Sequence, residues 1–198
     1  MLTNNKNPLN TRERILDAAL NIFSRKGYYD TKLDEIVDES ATSKGAIYFH
    51  FPNKEQLFLA LVDQFADLLE RRVNEAIVQE AQGIQRVRVA LETCLNTFGR
   101  YRRPAKILLV QAAGLGNTFE KKRNEVNERF ANLIAINLQE SVAVGDIAPL
   151  DVEVVAYAWM GAIYEVIIRW VHTGDPEPER IMQTLLPMLL RSVGYEQK

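Results

Sequence analysis

Between Thr31 and Phe58, TKLDEIVDESATSKGAIYFHFPNKEQLF, helical patterning starts, stops and restarts within a few turns. This rhythm restricts the chain more than any other feature. Thr31 offers an N-cap hydroxyl to a first short helix, with Asp34 in the first turn, where negative charge complements the free N–H groups. Leu33, Ile36 and Val37 share one face at helical spacing. Ser40, Ala41 and Thr42 weaken the pattern, and Ser43 is placed to cap a second helix over Lys44 to His50. Pro52 then breaks that helix, and Asn53 caps the next. Two short helices and a tight turn make a helix-turn-helix, a shape that fits a DNA groove.

In the second helix Ile47 points inward, which leaves Lys44, Tyr48 and Phe49 elsewhere around the axis, free to meet a partner. From Ser40 to Lys54 the chain carries two lysines and a histidine but no acid. This local phosphate footprint is concealed by the overall net charge of -2. Gly45 sits inside a helix, where glycine is a poor choice. Close approach of the backbone to a ligand surface explains it, and so does simple tolerance.

With 198 residues the chain can bury a real core in one or two small domains, and its composition is that of an ordinary soluble protein. Cys94 is the only cysteine, which excludes an intrachain disulfide and Cys-based zinc motifs; its apolar helical setting reads as a buried structural thiol. The histidines, His50 and His172, lie far apart, and nothing resembles a nucleophile elbow, a phosphate loop or paired metal ligands. No catalytic residue, metal or cofactor is expected. Residues 1–10 lack the apolar core of a signal peptide and read as a flexible polar arm, and no uninterrupted apolar run approaches membrane-spanning length. The expectation is a cytoplasmic protein with no membrane partner.

Ile15, Ala18, Ala19, Ile22 and Phe23 give an opening helix one buried stripe ending before Gly27, which closes a three-helix core. Beyond Phe51 no strand-like alternation stands out. Helices are expected from Asn53 through Leu69, then over roughly Ile84 to Arg102, Ala105 to Ala113, Thr118 to Val144, Asp151 to Thr173 and Pro178 to Val193. The fold class is therefore all-α, with a helix-turn-helix domain over 1–53 and a helical domain over 54–198. The run Glu120 to Glu125 reads as a solvated helix face, with a ligand role for Arg123 as the alternative. In the last two helices apolar residues spread over most of the circumference, so they need cover on two sides. The body of the domain can supply one side and the same helices of a second copy about a two-fold axis the other, the alternative being a central position in a monomer. Phe98, Phe130, Tyr157, Trp159, Met160 and Tyr164 are candidates to line a cavity between the middle helices and the penultimate one, with Gln111, Asn127, Tyr164 and Glu165 to orient a ligand.

The segment Ser43-Lys44-Gly45-Ala46-Ile47-Tyr48-Phe49-His50-Phe51, followed by Asn53-Lys54-Glu55, resembles the DNA-binding domain of the tetracycline-repressor (TetR) family. So do Arg14 to Ala19, Phe23, Gly27-Tyr28 and Thr31 upstream. Ala41 stands where the family has a turn glycine, and Thr42 where it has an apolar residue. The resemblance implies a homodimeric transcriptional regulator, a repressor of a palindromic double-stranded DNA operator, joined through its last two helices and released by a small, largely apolar effector. Lys44, Gly45, Ala46 and Tyr48 are assigned to base edges or the adjoining backbone, and Thr31, Ser43, Phe49, His50 and Lys54 mainly to the backbone. Gly161, Glu165 and Trp170-Val171 are similar to the pattern in family members that respond to fatty acyl thioesters. A constitutive DNA-binding dimer without effector, and a helical ligand-binding protein or enzyme, remain as alternatives.

Overall fold

The computed structural model describes residues 11–79, 83–107, 109 and 116–195. The arm assigned to residues 1–10 lies outside them. The described helices are α1 (Thr11–Lys26), α2 (Leu33–Ser40), α3 (Lys44–His50), α4 (Lys54–Ile77), α5 (Ile84–Arg100), α6 (Arg102–Lys106), α7 (Asn117–Ala143), α8 (Val152–Thr173) and α9 (Pro178–Ser192). No strand occurs among the described residues, and the chain is all-α. It forms two compact units that divide after Gln64, so α4 begins in the first and ends in the second.

In the first unit the α1 stripe of Ile15, Leu16, Ala18, Ala19, Ile22 and Phe23 is buried, as are Ile36 of α2 and Ile47 of α3. Phe23, Tyr28 and Phe58 cluster edge-on and offset, with ring centroids 5.1 to 5.9 Å apart. One capping expectation fails. Thr31 is not the cap of α2: its hydroxyl is buried and donates to the Gly27 carbonyl at 2.6 Å, closing the loop that leaves α1. The cap position falls to Lys32, whose backbone N–H is held by the Glu35 carboxylate at 3.0 Å. Ser43 and Asn53 do cap α3 and α4, accepting from the N–H groups of Ala46 (3.1 Å) and Gln56 (2.8 Å).

In the second unit α7 packs on α5 and α8, while α9 packs on α5 and α8. Buried Leu91, Leu95, Val126, Leu138, Ile163, Ile167, Leu185 and Leu189 supply much of its core. The start of α5 is sealed from a distance, since Asp146, after α7, accepts from the Ile84 N–H at 2.9 Å. Gly83 there has φ +74, and a Cβ would stand 1.9 Å from the Asp146 carboxylate, so only glycine fits. Pro104 does not precede a helix as its spacing suggests. It sits inside the first turn of α6, where its missing N–H has no helical acceptor to lose. Arg102 ties α6 to the end of α8, donating to the carbonyls of Trp170 (3.4 Å) and Val171 (3.0 Å) and lying over the Trp170 ring.

α8 has the length and the mean hydropathy, 1.4, of a membrane-spanning helix, but Glu153, Glu165 and Arg169 interrupt its apolar run. Ala156, Trp159, Ile163, Ile167 and Trp170 bury one side of it within the unit. Its other side is exposed and carries Val154, Tyr157, Ala158 and Gly161 before Glu165 and Arg169.

Candidate functional site

Two features of the molecule have the makings of a site, one in each unit. The first is α3 and the turn before it. Ala41 adopts the left-handed conformation, φ 49 and ψ 46, in a position that favours glycine. Hydrogen bonds from its N–H to Asp38 (3.2 Å) and from Thr42 N–H to Val37 (3.3 Å) fix the turn. Arg14 of α1 reaches in and donates to the carbonyls of Ser40 and Ala41, both at 2.6 Å. Sequence reasoning gave Arg14 no such role, because the carbonyls it satisfies lie 26 and 27 residues away.

The turn presents α3 with Ser43, Lys44, Gly45, Tyr48 and Phe49 exposed and Ala46 and His50 half-buried. Phe49 is 84% exposed, an aromatic ring left in water with His50 beside it, edge-on at 5.1 Å. The Lys44 ammonium pairs with Asp34 of α2 at 2.8 Å, which holds it above its ordinary range through that hydrogen bond and charge. A fully exposed pair of this kind exchanges readily with other anions. A Cβ on Gly45 would meet nothing nearer than the Ser43 hydroxyl at 3.8 Å, so nothing within the protein demands glycine there.

Thr31 and Lys54 occupy a different setting. The Lys54 ammonium donates to the carbonyls of Tyr28 (2.9 Å), Thr31 (3.0 Å) and Tyr29 (3.4 Å) and lies 4.5 Å from the centroid of the Tyr28 ring. Burial lowers its pKa despite the nearby Asp30. All of its N–H donors are engaged by the loop between α1 and α2.

The second feature is a cavity of about 80 Å³ in the C-terminal unit. Leu69 and Val73 of α4, Val87, Leu91, Cys94 and Phe98 of α5, Leu109, and broad faces of α7 and α8 form its wall. Of the sequence candidates, Phe98, Asn127, Phe130, Met160 and Tyr164 come together on this wall. Tyr157, Trp159 and Glu165 do not. Tyr157 lies a turn before Met160 and is exposed, while helical rotation of about 100° per residue carries Trp159 and Glu165 to either side of Met160. Trp159 turns to α9, where its indole N–H donates to Ser192 Oγ at 3.1 Å, and Glu165 is exposed. Gln111 lies outside the described residues.

The polar groups of the wall are few. Tyr164 donates to the Leu109 carbonyl at 3.2 Å, and Asn137 to the Leu133 carbonyl at 2.7 Å. Cys94 faces the cavity, and burial pushes its thiol up to about 12, well away from reactive thiolate. Arg123 also lines the cavity and pairs with Glu120 one turn earlier. It belongs to the run that sequence reasoning assigned to solvent. The signal was nonetheless present: Arg123, Val126, Asn127, Phe130, Leu133, Ile134 and Asn137 repeat at helical spacing.

Residues 15–61 match the family model described as "Bacterial regulatory proteins, tetR family". The chain is 40% identical over 79 residues to the HTH-type transcriptional regulator LmrA of Bacillus subtilis (strain 168), a stretch covering 38% of this chain and 42% of LmrA. Two solved structures share the fold. FadR from Bacillus subtilis, in complex with stearoyl-CoA, has a TM-score of 0.80 at 21% identity, covering 89% of this chain and 96% of FadR. AibR, in complex with isovaleryl coenzyme A and operator DNA, has a TM-score of 0.73 at 22% identity, covering 90% and 97%. α2 and α3 thus form a helix-turn-helix within the stretch that matches the tetR family model, and the chain spans less than half the length of LmrA, the HTH-type transcriptional regulator that shares this stretch.

Proposed function

We propose that this chain is a transcriptional regulator of the TetR family, a homodimeric repressor that holds a palindromic operator with α3 of each copy and releases it when an apolar small molecule, a fatty acyl thioester, fills the cavity of the C-terminal unit. The observation that carries this reading is the largely apolar cavity beside Phe98, Phe130, Met160 and Tyr164, in a chain whose other unit presents a recognition helix. The acyl thioesters bound to FadR and AibR support the ligand class. Residues 1–53 form the DNA-binding domain and 54–198 the effector and dimerisation domain, and the protein acts in the cytoplasm. Lys44, Gly45, Ala46 and Tyr48 meet base edges or adjoining sugar-phosphate, while Ser43, Phe49 and His50 meet the backbone. Thr31 and Lys54 serve the same surface by shaping the loop that leads into α2. The second copy covers the exposed side of α8 around Val154, Tyr157 and Gly161, together with Met188 of α9.

In such dimers recognition helices enter successive major grooves about 34 to 36 Å apart, so a ligand that favours another spacing weakens binding. Coupling is reciprocal: operator DNA must weaken the ligand by the same factor. The test is to sequence genomic fragments retained by the purified protein, then titrate an acyl thioester with and without the enriched site. A palindrome with half-sites about one helical turn apart, or a multiple of that, and unequal ligand affinities are expected. Equal affinities would contradict induction.

A further inference from the structure

The cavity is apolar on most sides, but its α7 wall carries the polar side chains of Arg123, Asn127 and Asn137, the first two one turn apart. Their situations differ. Asn127 lines the cavity and has no hydrogen-bond partner among the described residues. Arg123 is a third exposed and is paired with Glu120, a residue three positions back on the same helix. Such a local pair is weakly held and easily exchanged. A half-buried amide without a partner among the described residues and a guanidinium on one helix face make a donor set for a carbonyl and an oxyanion.

Resting on the effector reading above, we infer that Arg123 and Asn127 recognise the polar end of the ligand, an apolar chain terminating in a carboxylate or thioester, and that Glu120 occupies Arg123 until the ligand arrives. Asn127 donates its N–H₂ to the ligand carbonyl. Arg123 leaves Glu120 and donates to the ligand's anionic group, whether a carboxylate on the chain or a phosphate of a thioester carrier. The chain itself lies against Phe98, Phe130 and Met160. Glu120 thus acts as an internal competitor that sets a threshold for ligand concentration.

The experiment titrates decanoate, decanol and decanoyl-coenzyme A into the full-length protein and into Arg123→Met, Asn127→Leu and Glu120→Gln by calorimetry, with melting temperatures to verify folding. Arg123→Met should weaken decanoate or the thioester about tenfold while leaving decanol unchanged, since only the charged hydrogen bond is lost. Glu120→Gln should tighten the anionic probes several-fold and leave the alcohol alone, and this variant retains the full cavity. Sensitivity of decanoate identifies a free carboxylate as the anion, and sensitivity confined to the thioester identifies the carrier phosphate. If the wild-type protein binds decanol as tightly as the anionic probes, and Arg123→Met and Glu120→Gln move none of them, the polar-end assignment is overturned while the apolar-effector reading stands. If none of the three probes binds the wild-type protein, the effector reading fails and this inference fails with it.

Discussion

Ala41 and Gly45 hold each other's natural residues: the left-handed turn position carries a side chain, and the helix carries none. An L-residue with φ 49 is strained, so Ala41→Gly is expected to stabilise the fold by about 0.5–1 kcal/mol, read as a raised denaturant midpoint with unchanged slope. Gly45→Ala should also stabilise the fold, by roughly 0.5–1 kcal/mol, because its Cβ meets only open space and the Ser43 hydroxyl. It should nevertheless weaken operator binding about tenfold, the loss a single blocked close contact brings. A gain in stability with undiminished binding would leave Gly45 as mere tolerance. At this scale the sequence is legible where partners are local. Ser43, Asn53 and Asp151 cap helices through N–H groups three residues on, a spacing visible in the string. Thr31, Arg14 and Asp146 satisfy groups that folding alone brings near, and no local pattern announces them.

Among the elements, periodicity makes α1, α7, α8 and α9 readable to within a residue or two, because each must bury a stripe. The same periodicity does not say which stripe faces a void. On α8 the aromatic residues look alike in sequence, yet Tyr164 lines the cavity, Trp159 bonds to α9 and Tyr157 meets solvent. Only the rotation of the helix against its neighbours sorts them. The start of α4 gives a prediction of the same kind. Because Lys54 spends its donors on the loop between α1 and α2, Lys54→Met should lower stability by about 1–2 kcal/mol through lost charged hydrogen bonds. Its operator affinity should fall with the salt slope nearly unchanged. A slope reduced by about one would instead mark a phosphate contact.

For the whole molecule, one copy of the chain leaves the apolar side of α8 around Val154 and Tyr157 exposed. Tyr157→Glu puts a charge there on both copies at once, so self-association should weaken about tenfold or more, read by sedimentation, and operator affinity should fall with it. Ligand titration should be unaffected, since Tyr157 stands off the cavity wall. An unchanged sedimentation profile would move the interface elsewhere. Cys94 closes the account at this scale, because the chain's sole sulfhydryl looks into the cavity. Burial raises its pKa to about 12, so its thiolate is scarce at neutral pH. A maleimide dye should therefore attach extremely slowly to the native protein, and more slowly still once an effector fills the space. The wild-type chain thus carries a built-in stopwatch for the opening of its own chamber, one that needs no mutation to install.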